Sequence, residues 1–120
     1  MKYITIDGDD IGQKIASAYL TNDETGLTRT NNFVQEKIVK IAELLKAQGF
    51  TILFCAADGV AGMASSHFDS SWIFSEIKKI AGDEISFSAG VGNSLREAYI
   101  ALLLAKSSGK SRLQDFNEMN

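Results

Sequence analysis

The chain holds one cysteine and one histidine in 120 residues. No apolar run approaches the roughly 18 residues needed to span a bilayer. Each lack excludes a class of protein. Cys55 has no partner for an internal disulfide, and its place at the end of the apolar run Phe50 to Cys55 predicts a buried thiol. A nucleophilic cysteine needs a basic partner, and His67 lies beyond the next apolar run in a serine-rich turn, which disfavours Cys/His catalysis. One Cys and one His cannot supply a closed zinc site. Positive charge is also scarce: 12 Lys and Arg stand against 15 Asp and Glu, for a net charge of −3. The field that long nucleic acid requires is missing. The start, Lys2-Tyr3-Ile4-Thr5-Ile6-Asp7, lacks the basic flank and apolar core of a signal peptide. A cytoplasmic protein with no membrane role is therefore expected.

With 45% hydrophobic residues, the chain has the size and apolar content of one domain around one core. Residues 2–7 have the pattern of a strand stopped by Asp-Gly. Ile11, Ile15, Ala18 and Tyr19 then fall at helical spacing, for a helix from Asp9 or Asp10 to about Leu20. The polar segment Thr21 to Asn32 is expected to be a loop. Val34, Ile38, Ile41 and Leu45 mark a helix over 30–48, ended by Gly49. Phe50 to Cys55 is apolar almost throughout, as in a strand covered by helices or buried on both faces. After Ala56-Ala57-Asp58-Gly59, a second run over Val60 to Ala64 completes a hairpin.

Asp69 or Ser70 caps a further helix, with Ile73, Ile77 and Ile80 inward. Ile85 to Gly92 alternates as a strand, with Ser86, Ser88 and Gly90 on one side. Ser94-Leu95-Arg96-Glu97 is a capping box opening a helix whose inner positions are Leu95, Ala98, Leu102 and Ala105, stopped by Gly109. The domain is expected over 1–113, with 114–120 a polar, frayed tail.

This order predicts an α+β, ferredoxin-like βαββαβ fold: an antiparallel sheet with helices packed on one face. A right-handed crossover makes the first two strands parallel, with the third between them and antiparallel. The hairpin turn with Asp58 then lies at the sheet edge where the first strand ends in Asp7.

Two carboxylates converging there repel unless one is protonated or both share a cation. All-oxygen donors point to Mg²⁺ or Mn²⁺, ions that keep several waters and are often shared with substrate phosphates. The stretch Gly8, Asp9, Asp10, Ile11 and Gly12 opens the first helix, where backbone N–H groups can cradle phosphate. Asp-Gly and Asp-Asp are also ordinary turn and cap residues, so each motif alone has a purely structural reading. Asp9 and Asp10 have both readings, cap or ligand. Lys106, Lys110 and Arg112 at the end of the last helix have two as well, interaction with the helix C-terminus or a triphosphate clamp.

Ser88-Ala89-Gly90-Val91-Gly92, Arg96-Glu97-Ala98-Tyr99 and the run Leu102 to Arg112 resemble the last strand and helix of GGDEF diguanylate cyclases. Residues 7–12, DGDDIG, resemble the first palm motif in the large subunit of type III CRISPR complexes. A palm of this length is similar to the minimal CRISPR polymerases. The resemblance implies Asp7 and Asp58 as catalytic metal ligands, the Gly8 carbonyl as a backbone ligand, and Lys106, with Lys110 a weaker match, on the triphosphate. It implies condensation of nucleoside triphosphates, ATP above others, into a cyclic di- or oligonucleotide. A homodimer and a separate effector that reads the product, in antiphage defence, belong to the same implication. Ala56, Ala57 and Gly59 depart from the larger members' two glycines and second acid. Two alternatives stand beside it: a GTP cyclohydrolase-like palm acting on one triphosphate, and, because of the Gly59 departure, a degenerate nucleotide sensor.

Overall fold

A computed structural model describes residues 1–119. In chain order the elements are β1 (Lys2–Gly8), α1 (Ile11–Leu20), α2 (Glu24–Ala47), β2 (Thr51–Ala56), β3 (Gly59–Ala64), α3 (Ser70–Ala81), β4 (Phe87–Gly92), α4 (Leu95–Ser107) and β5 (Leu113–Asp115). A short 3-10 turn follows over Phe116–Glu118. The five strands form one sheet in the order β2-β3-β1-β4-β5. All pairings are antiparallel except β4 with β5, which is parallel. The ferredoxin-like core is the one expected, with β3 between β1 and β2.

Alternation along the strands divides the packing between two faces. Ile4 and Ile6 of β1, Val60 of β3, and Ala89 and Val91 of β4 point to one face. There they meet Val34, Ile38, Ile41 and Leu45 of α2 and Ile73 and Ile77 of α3, all buried. Asp7, Ser88, Gly90 and Gly92 belong to the opposite face. Helix α4 lies on that face, against β4, β1 and β5. A Cβ at Gly90 would sit 2.1 Å from the Ala98 carbonyl oxygen, so only glycine permits this approach. The expectation of helices on one face thus holds for α2 and α3 and fails for α4. A glycine-lined strip is itself a place for a helix backbone to dock.

Other expectations are corrected. Thr21 to Asn32 is mostly helix, because Asp23 accepts from the Gly26 N–H at 2.8 Å and starts α2 at Glu24. Packing of α1 on α2 overrides the low helix propensity of its Thr and Asn residues. β2 is an edge strand exposed along most of its length, and Cys55 is exposed. An apolar run there reflects position beside the site rather than burial. Leu95 points outward, while Ala98, Ala101, Leu102 and Ala105 are buried. Residues 113–115 form β5, since β4 would otherwise present an unpaired edge, and the Ala89 N–H donates to the Arg112 carbonyl at 2.9 Å. Asn120, within the expected tail, lies outside the described residues.

Candidate active site

The two acidic turns meet. The Gly8 N–H, at the end of β1, donates to the Asp58 carbonyl in the β2–β3 turn at 2.9 Å. A Cβ at Gly8 would lie 2.6 Å from Ile11 Cγ1 and 3.4 Å from Asp58 Cβ, so the absent side chain lets the turns close on each other. The hairpin turn is held from α2 as well, where Gln35 Nε2 donates to the Ala57 carbonyl at 3.0 Å. Ala57 has φ 53°, a left-handed conformation that favours glycine. The carboxylates of Asp7 and Asp58 are neighbours that act on each other electrostatically. Burial, then the charge of Asp7 and a hydrogen bond shared with it, push the Asp58 carboxyl above its ordinary value.

Asp9 is different. It is buried, and donors from three parts of the chain take its two oxygens. Ser88 Oγ and Lys106 Nζ donate to Oδ1 at 2.7 and 3.1 Å, and Ser86 Oγ and the Ser111 N–H donate to Oδ2 at 2.7 and 3.0 Å. Burial alone would raise this carboxyl. The bonds from Ser86, Ser88, Ser111 and Lys106 outweigh it and hold the group below its ordinary value. Asp9 is thus a latch joining the β1–α1 turn to β4 and to the loop after α4. The signal was present in the sequence as two serines, Ser86 and Ser88, alternating on an otherwise apolar strand.

Asp10 occupies the α1 N-cap position with φ 61° and makes no side-chain cap. Its carboxylate pairs instead with Lys110. Ile11 belongs to the core, and Gly12 is exposed, with nothing within 4 Å of where a Cβ would stand. Lys106, at the end of α4, is only 23% exposed. Its Nζ donates to the Gly8 carbonyl at 2.7 Å and lies 3.2 Å from Asp7 Oδ2. The chain after it is unusual: Gly109, Lys110 and Ser111 all have positive φ, which turns the Ser111 N–H onto Asp9.

Asp7, Asp58 and the Gly8 carbonyl form an all-oxygen donor set at the mouth of the sheet. Among the described residues no group of three or more His, Cys, Asp or Glu side chains converges. Two carboxylates, one of them raised by burial and by the other's charge, with a backbone carbonyl beside them, suit a hard divalent cation that completes its shell with water and phosphate. Next to them a cavity of about 250 Å³ is lined by Ile11, Gly12, Ile15, Thr30, Asn31, Val34, Ala57 and Asp58. A larger cavity of about 470 Å³ lies at the other end of the sheet, around Lys2 and Val91, away from the carboxylates. Among the described residues no helix is long and apolar enough to cross a membrane.

The architecture and the paired acidic turns define a palm-like cyclase fold. The active GGEEF domain of a diguanylate cyclase from Vibrio cholerae is similar at TM-score 0.66 and 17% identity, covering 98% of this chain and 83% of that one. The GGDEF domain of DgcB from Caulobacter crescentus, solved in complex with c-di-GMP, is similar at TM-score 0.67 and 14% identity, covering 98% and 78%. A GGDEF domain from Pseudomonas aeruginosa matches at TM-score 0.61 and 14% identity, covering 95% and 75%. At such identities the likeness establishes the fold. No curated protein matches the chain in sequence. Residues 3–116 match the model of the minimal CRISPR polymerase domain, and the chain belongs to this family, mCpol. It is a nucleotide polymerase/cyclase domain.

Proposed function

We propose that the chain condenses nucleoside triphosphates, ATP first among them, into a cyclic dinucleotide or short cyclic oligonucleotide that signals in antiphage defence. The observation that carries the reading is the closure of the two acidic turns, Gly8 N–H on the Asp58 carbonyl, which sets Asp7 and Asp58 side by side. Family membership supports the same reaction class. Each condensation joins a ribose oxygen to an α-phosphorus, breaks the α–β bridge, and releases pyrophosphate and a proton.

Asp7, Asp58 and the Gly8 carbonyl would hold Mg²⁺ or Mn²⁺. Such an ion lowers the pKa of the attacking hydroxyl and neutralises charge on the triphosphate. Lys106 and, more peripherally, Lys110 supply the cations for the phosphates, beside the first turn of α1 with Gly12 exposed. The cavity beside Asp58 receives the base, with Thr30 and Asn31 offering its polar contacts. One palm holds one donor triphosphate in this arrangement, so ring closure uses two protomers related by a two-fold axis. A separate effector reads the product.

The test is incubation with Mg²⁺ or Mn²⁺ and each triphosphate, singly and mixed, followed by chromatography and mass spectrometry. A cyclic dinucleotide is the expected product. An opened or monocyclic GTP product would assign the cyclohydrolase-like reading, and binding without pyrophosphate release would assign the sensor.

A further inference from the structure

One half-exposed aromatic side chain stands beside the carboxylates, outside the buried core. Phe54 is 54% exposed on the edge strand β2. Pairing of β2 with β3 runs Ile52 with Gly62, then Phe54 with Ala61, so Leu53 is an extra, bulged residue. In unbroken register Leu53 would oppose Ala61, and Phe54 would oppose Val60, whose side chain points into the core. The bulge turns Phe54 onto the other face, which it shares with Gly59 and Asp7. Bulges often re-aim a side chain next to an active site.

The local distances are short. A Cβ at Gly59 would lie 3.8 Å from Phe54 Cε1 and 3.5 Å from Asp7 Oδ1, so the glycine leaves a gap between ring and carboxylate. Helix α4 covers β4, β1 and β5 on this face, and the β3–β2 half beyond Asp7 carries only small residues before Phe54: Gly59, Ala61 and Ala56. Lys106 approaches Asp7 from the opposite side, at Oδ2. Phosphate charge therefore belongs on the Lys106 side of Asp7, and a flat apolar group on the Phe54 side.

We infer that Phe54 is a stacking platform for the attacking nucleotide, its base or ribose lying over Gly59 and Ala61 with the hydroxyl toward Asp7. This rests on the reading of the site as a nucleotide condensing centre. Base–aromatic stacking is sequence-tolerant, and losing it lowers affinity by about tenfold to a hundredfold.

The experiment uses the whole chain with Trp72→Phe and Phe54→Trp, which leaves one tryptophan at the platform; Trp72 lies on α3, outside the site. Saturable quenching by α,β-methylene ATP with Mg²⁺ is expected. Adenosine, which has no triphosphate for Lys106 to engage, should also quench. In turnover, Phe54→Ala should raise the half-saturating ATP concentration at least tenfold, while Phe54→Trp stays within about threefold of wild type. Absence of quenching, or unchanged saturation in Phe54→Ala, overturns the inference. Quenching by the triphosphate analogue alone would put the donor nucleotide there and also overturns it. A fluorescence change that follows protein concentration rather than nucleotide would make a second protomer the occupant and overturns it equally. Quenching without condensation would sink the proposed function and leave the platform; condensation without quenching would do the reverse.

Discussion

Replacing Asp9 by alanine separates a structural carboxylate from the acids beside it at the sheet edge. The side chain accepts four hydrogen bonds, from Ser86, Ser88, Ser111 and Lys106. Ser88 is fully buried, and the Ser111 N–H belongs to a loop held at positive φ, so these two donors have the fewest alternatives once Asp9 is gone. Each buried donor left unpaired costs about 1–3 kcal/mol. Ser86 and Lys106 can turn toward water and lose less, for a total of about 3–5 kcal/mol. A domain of this size has about 5–15 kcal/mol in all, so the melting temperature should fall by about 10–20 °C. Urea unfolding followed by circular dichroism measures the loss, with the slope against urea unchanged. The acid limb adds a sign. Because the folded carboxyl lies below its ordinary 3.8, its contribution is complete above that pH and disappears as pH falls through the folded value. The gap between wild type and Asp9→Ala should therefore narrow as pH falls below 3.8. A loss at pH 7 under about 1 kcal/mol would refute the latch and return Asp9 to ligand binding.

Asp58→Asn should behave in the opposite way. Its carboxyl is raised in the folded state, so its ionised form opposes folding as pH climbs from 3.8 through the folded value and beyond. The variant should melt higher than wild type at pH 7, lose that advantage below pH 3.8, and have no condensing activity. Lys106→Ala should raise the triphosphate concentration for half-saturation about tenfold, as for one lost charge-assisted contact, and an unchanged value would leave the lysine as a strut between α4 and Gly8. Gly90→Ala would drive a methyl into the Ala98 carbonyl and should destabilise by about 3 kcal/mol or more, read by thermal melting; a neutral result would mean α4 shifts freely on β4.

Much of the chain was legible because periodicity and punctuation agreed. Val34, Ile38, Ile41 and Leu45 formed the inner face of α2 as their spacing required, and Asp69 and Ser94 capped α3 and α4 through their side chains. The meeting of Asp7 and Asp58 followed from strand order and the direction of a crossover, both properties of the element sequence. Exposure was less legible. β2 is as apolar as a buried strand, yet its place at the edge, and a bulge at Leu53 that no residue type announces, decide what its side chains face. The Thr21 to Asn32 helix was hidden for a similar reason, since one Asp23 cap and contact with α1 outweigh many weak local preferences.

The sequence by itself determined most of the elements, the order of the four core strands, and thus the edge at which two acidic turns come together. Only the tertiary structure decided which acids remain available there. Asp9 and Asp10 neighbour Asp7, but one is consumed by Ser86, Ser88, Ser111 and Lys106 and the other by Lys110. Those partners lie 77 to 102 residues away along the chain, from Asp9 with Ser86 to Asp9 with Ser111. Local spacing says nothing about donors at that distance. Their positions follow from α4 docking on Gly90 and from the left-handed turn that closes after it.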